Sequence, residues 1–324
     1  MDSRKQSIRR KNRVKCLVLG GCGFIGSHLV DHLVYRGDKV VVFDRLNVDT
    51  KNIDSVLGNI ELVRGDFRNR EDIKRTIKNI DYIFHFIGTT LPETSTQNPM
   101  YDIESNVIST IQLLEVIKGT NVKKIIFASS GGTIYGIPQQ IPIPENHPTN
   151  PICSYGISKL MIEKYLRLYG YLYGLDYVSL RFANAYGERQ DPKGSQGVIP
   201  VFLGNIIKGQ PIHVWGDGNV VRDYIHVKDI VNACQRAMQT RENEYHIFNI
   251  GSGKGLSLNE LISILKETVK NDIQVRYTIG RKIDVSVNIL DNRLAKEILE
   301  WQPKVSLEEG LQLTAKYLNE LSDL

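Results

Sequence analysis

Through the first half of the chain, short apolar runs suited to β-strands alternate with segments whose apolar residues recur at helical spacing. The runs are VKCLVLG, KVVVF, IELVRG, DYIFHFIG, KKIIFAS and DYVSLRF; between them stand FIGSHLVDHLVYRG, REDIKRTIKNI, ESNVISTIQLLEVIKG and SYGISKLMIEKYLRLYGYLYG. Such alternation predicts an α/β chain built on a doubly wound parallel sheet. After about Asn184 the pattern loosens into loops rich in Gly, Pro and Asp, around GERQDPKGSQG and IHVWGDGNVVRDYIHV. Helices predicted near 198–208, 228–238, 258–269 and 307–321 then suggest a smaller carboxyl-terminal α/β lobe. The expected division is a disordered basic tail over 1–13, a large domain over 14–183 to which some later segments return, and a second lobe over 184–324.

The 324 residues, 41% of them hydrophobic, are enough for such a two-lobed core. The net charge of +5 comes from one end: residues 1–15 carry seven Lys and Arg against Asp2, so the remaining chain is near −1. The body is therefore no basic nucleic-acid binder. The tail has no apolar segment before the first strand, which speaks against a signal peptide or membrane span. A solvated arm is expected, with contact to an acidic partner or membrane surface as the alternative. Cys16, Cys22, Cys153 and Cys234 show no CxxC spacing, so no metal site or disulfide frame is expected, and a reduced cytoplasm is the simplest setting.

Chemistry enters at GGCGFIG, directly after the first strand. Gly20, Gly23 and Gly26 stand at three-residue spacing, with Phe24 and Ile25 opening an amphipathic helix. A tight glycine turn at a helix amino end suits a pyrophosphate, which makes the first domain Rossmann-type. Asp44 ends the next strand, where a carboxylate accepts from adenosine ribose hydroxyls and repels a 2′-phosphate; this favours NAD over NADP, although Arg45 beside it is discordant. Asp66 and Phe67, closing the third strand, either edge the adenine or form an ordinary turn. In KKIIFASSGGTIYG an apolar strand delivers hydroxyls and glycines at its carboxyl end, the ligand end of an open α/β sheet. In SYGISK, Tyr155 and Lys159 lie four apart on one helical face, and an ammonium there is expected to lower the phenol pKa towards a usable general base.

Together, GGCGFIGSHLV, Asp44, GDF, FHFIG, ESNVIST, SSGGTIYG, SYGISK, RFANAYG, VVRDYIHVKD and GRKIDV resemble the extended short-chain dehydrogenase/reductase family, and within it the nucleotide-sugar 4-epimerases of the UDP-glucose (UDP-galactose) type. The resemblance implies NAD as cofactor and a UDP-sugar as substrate, with Tyr155, Lys159 and a strand-end hydroxyl catalytic. Asn106 would brace the site; Phe86, Ile87, Gly88 and Ser129 would join the cofactor-binding set. Asn184, Arg222 and Arg281 are expected on the diphosphate, Asp284 on the uridine ribose, and Val198 and Ile199 along the same pocket or in plain core. In many relatives the catalytic hydroxyl falls at the position of Gly131. This departure leaves Ser130, or Thr133 close behind it, to polarise the sugar oxygen. Relatives that dehydrate carry an acidic pair here, and Gly131, Gly132 and Thr133 supply none. Asn288 falls where sugar size is gated, which makes an N-acetyl sugar conceivable. His85 is read as a packed strand-end residue without catalysis. A homodimer through the long helices is implied. The alternatives are another nucleotide-sugar epimerase or dehydratase, such as a UDP-glucuronate 4-epimerase, and a non-catalytic NAD-binding regulator.

Overall fold

The structure is a computed structural model describing residues 13–194, 196–241, 244–269, 273–280 and 285–322. Most of the basic tail, together with Arg281 and Asp284, lies outside the described residues. The chain begins with β1 (Lys15–Leu19), α1 (Phe24–Arg36), β2 (Lys39–Asp44), β3 (Ile60–Arg64), α2 (Arg70–Thr76) and β4 (Tyr82–His85). It continues with α3 (Pro92–Gln97), α4 (Pro99–Asp102), α5 (Ser109–Ile117), β5 (Lys124–Ser130), α6 (Ser154–Tyr173) and β6 (Tyr177–Phe182). These strands and a later one, β10 (Ile247–Ile250), form a parallel seven-stranded sheet in the order β10-β6-β5-β4-β1-β2-β3.

The apolar strands are buried on both faces because alternate residues serve opposite cores. Cys16, Val18, Val40 and Val42 pack with Leu29, Val30 and Leu33 of α1, whereas Leu17, Leu19, Val41 and Phe43 pack with Ile73 of α2, Leu113 of α5 and Ile162 of α6. Helix α1 stops at Gly37, whose left-handed φ of 88° lets its N–H return to the last turn.

The rest of the chain adds β7 (Asn184–Tyr186), α7 (Val198–Ile207), β8 (Ile212–Trp215), β9 (Val221–His226), α8 (Val227–Gln239), β11 (Gly255–Ser257), α9 (Leu258–Val269), β12 (Val275–Thr278), β13 (Val287–Asn288), α10 (Arg293–Ile298) and α11 (Leu307–Ser322), of which α8 and α10 pack into the first core. Strand β9 pairs in parallel with β7 and β13 and antiparallel with β11; β8 pairs with β12. Ile199, Phe202, Leu261, Leu265 and Leu311 close a third core. Helix α8 packs on α1, and β10 enters the main sheet beside β6.

Two local readings change. The stretch over IHVWGDGNVVRDYIHV is not mainly loop: it forms β8 and β9 around the GDGN turn. Strands of four and six residues, the first alternating buried with exposed, are too short to outweigh that turn's glycines in the composition. The helix expected over ESNVIST begins as a π-helical turn, Ile103–Ile108, before settling into α5. The Ser109 hydroxyl donates to the Glu104 carbonyl five residues back, which matches the wider winding.

Candidate active site

The glycine turn closes on itself. A Cβ on Gly26 would come within 2.2 Å of the Gly20 carbonyl oxygen, so only glycine lets α1 start this close to the strand end. The Phe86–Ile87 backbone lies against Gly20, and the space beside the Gly88 Cα is open. Asp44 accepts from the Cys22 N–H at 3.0 Å and the Arg45 N–H at 2.9 Å, which holds its carboxylate at the rim of the turn. A glycine cradle, a helix start without acidic residues and a carboxylate ending the second strand fit a dinucleotide with free ribose hydroxyls.

The β5 end supplies the second half. Lys159 donates to the Ala128 carbonyl at 2.8 Å, and its ammonium sits 4.8 Å from the Phe127 ring centre and 5.5 Å from that of Tyr155. Thr133 donates to the Ser130 hydroxyl at 2.9 Å. The first turn of α6 rests on this segment: a Cβ on Gly156 would fall 2.7 Å from the Thr133 carbonyl. Phenol, ammonium and two hydroxyls thus converge on one strand end. Burial pulls Lys159 down to about 8, opposed by Asp102 and Glu163. The expected lowering of the Tyr155 pKa is not what these residues produce by themselves. Burial first, then Cys153 and Asp102, pushes the phenol up to about 12, and one N–H of the Lys159 ammonium is turned to the Ala128 carbonyl.

Several expected contacts go elsewhere. Consecutive strand residues face opposite sides, so Ser130 meets Thr133 while Ser129 donates to Glu163 at 2.6 Å inside the sheet–helix core. There Glu163 receives a two-pronged ion pair from Arg181, at 2.9 and 2.7 Å. The Ser129 hydroxyl is thereby withdrawn from the cofactor. Phe67 is buried between Phe43 and His85, and Asp66, its side chain partly exposed, pairs with Arg68. Ile199 is core, whereas Val198 begins α7 at the core's edge. His85 is buried, bonded to Thr110 at 2.9 Å, and held down to about 3 by burial and Lys159, as a packed residue should be.

Asn106 braces the loop after β4: its amide oxygen accepts from the Thr89 N–H at 3.0 Å, and its NH2 donates to the Thr89 hydroxyl at 2.9 Å. Asn184, Arg222 and Asn288 share one small sheet, since Asn184 pairs with Tyr224 and Asn288 with Arg222. Asn288 reaches across to β5, donating to the Gly131 carbonyl at 3.1 Å, while its own buried oxygen has no partner among the described residues. A Cβ on Gly131 would lie 2.5 Å from a Leu290 methyl, so a side chain there would require Leu290 to shift.

Sequence reasoning missed Asp102, Glu163 and Arg181. The signal was polar residues at core-facing positions: Ser158, Lys159 and Glu163 of α6 are all buried. Among the described residues, no group of three or more His, Cys, Asp or Glu is placed to hold a metal, and no helix is long and apolar enough to cross a membrane.

Comparison with known proteins agrees with this geometry. The NAD dependent epimerase/dehydratase family matches residues 16–251. A putative UDP-glucose 4-epimerase of Methanocaldococcus jannaschii is 40% identical over 303 residues, covering 93% of this chain and 97% of that protein. The structure of a UDP-glucose 4-epimerase with UDP-glucose from Thermotoga maritima superposes with a TM-score of 0.91 at 41% identity, covering 95% of this chain and all of that one. A Thermus thermophilus UDP-glucose 4-epimerase in complex with NAD gives 0.87 at 34% identity, covering 94% and 99%.

Gly131→Ala should overpack the Leu290 contact and lower stability by about 1–3 kcal/mol in urea denaturation. A double-mutant cycle with Leu290→Val should show favourable coupling; strictly additive losses would refute the steric account.

Proposed function

The chain belongs to the NAD dependent epimerase/dehydratase family, and from that premise we propose that it is an NAD-dependent UDP-sugar 4-epimerase interconverting UDP-glucose and UDP-galactose. One observation carries the reading: Tyr155, Lys159, Ser130 and Thr133 meet at the carboxyl end of β5, and Gly131, Gly132 and Thr133 place no carboxylate there to drive elimination.

Gly20, Gly23, Phe24, Ile25 and Gly26 would hold the NAD pyrophosphate, Asp44 its adenosine ribose, and Lys159 its nicotinamide ribose. When bound, NAD supplies the acceptor and donor for the C4 hydride, and its oxidised ring adds a positive charge that favours the phenolate of Tyr155. Tyr155 takes the proton from the C4 hydroxyl as the hydride leaves C4, and returns it to the C4 oxygen when the hydride is delivered to the opposite face of the 4-keto sugar. Because Thr133 donates to Ser130, the Ser130 O–H is left to donate in turn to the sugar oxygen. This makes Ser130 the direct partner and Thr133 its support. Arg222 serves the diphosphate together with Asn184, and net redox over the cycle is zero.

Asn288 favours a roomy sugar site. A buried amide oxygen without a partner costs about 1–3 kcal/mol, and a substrate hydroxyl or amide N–H can repay it.

The assembly we propose is a homodimer. Ile157, Leu168 and Leu172 form one exposed stripe on α6, and Met100 and Ile108 are exposed on the neighbouring segments. A reducing, cytoplasmic setting suits the four buried, unpaired thiols.

Incubation with UDP-glucose and NAD should yield UDP-galactose by NMR. Tyr155→Phe should still bind NAD while losing nearly all turnover, and normal activity in that variant would overturn the assignment. The wild type should also turn over UDP-N-acetylglucosamine, and Asn288→Tyr should cut kcat/KM for that sugar about tenfold or more while sparing UDP-glucose. Strict rejection of the N-acetyl sugar by the wild type would count against this. Leu168→Glu should convert the dimer to a monomer in sedimentation; a monomeric wild type would remove the interface.

A further inference from the structure

Asp102, the last residue of α4, is fully buried and lies outside the roles given above. One carboxylate oxygen accepts from Ser154 at 2.9 Å and Ser158 at 2.6 Å; the other accepts from the Thr90 hydroxyl and from the Asn106 NH2 at 3.0 Å. Three separate segments therefore converge on one acid: the loop after β4, the π-helical turn, and α6. A buried carboxylate is costly unless its oxygens are filled, and here four donors fill them. Its position at the amino end of α6 adds the favourable side of the helix dipole.

Ser154 and Ser158 immediately precede Tyr155 and Lys159. Whatever holds these two serines therefore sets where the phenol and the ammonium stand. The Tyr155 N–H is also held, by the Ser95 hydroxyl of α3 at 2.9 Å. We propose that Asp102 is a positioning residue for the reaction, clamping the first two turns of α6, and with them Tyr155 and Lys159, to the π-helical turn that carries Asn106. The inference rests on the epimerase reading for the roles of Tyr155 and Lys159.

The clamp also carries charge. Asp102 raises the proton affinity of both Tyr155 and Lys159. The other titratable groups facing these two are Cys153 just before α6, Glu163 on α6 and already paired to Arg181 of β6, and neutral His85 on β4. Removing the Asp102 charge while keeping its shape should lower both proton affinities. The limb of the pH profile where Tyr155 must lose its proton and the limb where Lys159 must keep one should then both move to lower pH.

Two variants separate position from charge. Asp102→Asn should move both limbs of the kcat profile for UDP-glucose to lower pH. Ser154→Ala/Ser158→Ala keeps the carboxylate but cuts its tie to α6. It should lower kcat by about 10- to 100-fold, with KM changed far less and the limbs unmoved. Unaltered kcat in the double-serine variant would overturn the proposal. So would limbs that stay fixed in a folded Asp102→Asn protein whose kcat falls. If Asp102→Asn does not fold, the double-serine variant alone decides. Failure of the epimerase reading would appear separately, as a wild type that does not interconvert UDP-glucose and UDP-galactose.

Discussion

The candidate chemistry depends on α6 being pinned across the carboxyl end of β5. Lys159 is buried and still holds a proton donor to a strand carbonyl, and one turn further along Glu163 receives Arg181 from β6. Each buried charge has a hydrogen-bonding partner, which offsets part of the desolvation an isolated buried ion would suffer. The partners come from strands, so the helix cannot slide without unpairing them. Electrostatics thereby fixes the distance between the phenol and the strand-end hydroxyls more tightly than apolar packing would.

The proposed sugar pocket would, by contrast, be a joint product of the β5 end and a late segment of the chain. Asn288 and Leu290 come from a late segment, yet one bonds the Gly131 carbonyl and the other occupies the space a side chain on Gly131 would need. The Leu290 N–H is held by Asp223, which also accepts from Ser252 and Gly253, so the segment is anchored from its own lobe before it reaches β5. The absence of a hydroxyl at Gly131 and the presence of an amide at Asn288 are two sides of one packing arrangement.

Much of this was legible in the sequence, for identifiable reasons. The glycine turn, Asp44 and the Tyr155–Lys159 pair are short-range patterns whose spacing alone places them on a strand end or a helix face. The four later helices emerged because their apolar period is strong. What was hidden depends on distant partners. Asp102 meets serines 52 and 56 residues away, and hydroxyls leave no periodic trace. Alternation says that Ser129 and Ser130 face opposite sides, but only Glu163 and Thr133 say which side each takes. The phenol's proton affinity was misread because burial, invisible in a four-residue spacing, raises it.

The return of β10 to the main sheet has a further bearing on how such a chain comes into being. The strand neighbouring β6 is made some 65 residues after β6 itself, with β7, α7, β8, β9 and α8 in between. A ribosome-bound fragment ending near Asn184 would present the edge of β6 and the apolar bed of α8 bare. The lobes cannot be two modules joined end to end, and the Rossmann half must wait for the other to be synthesised before its own sheet is complete.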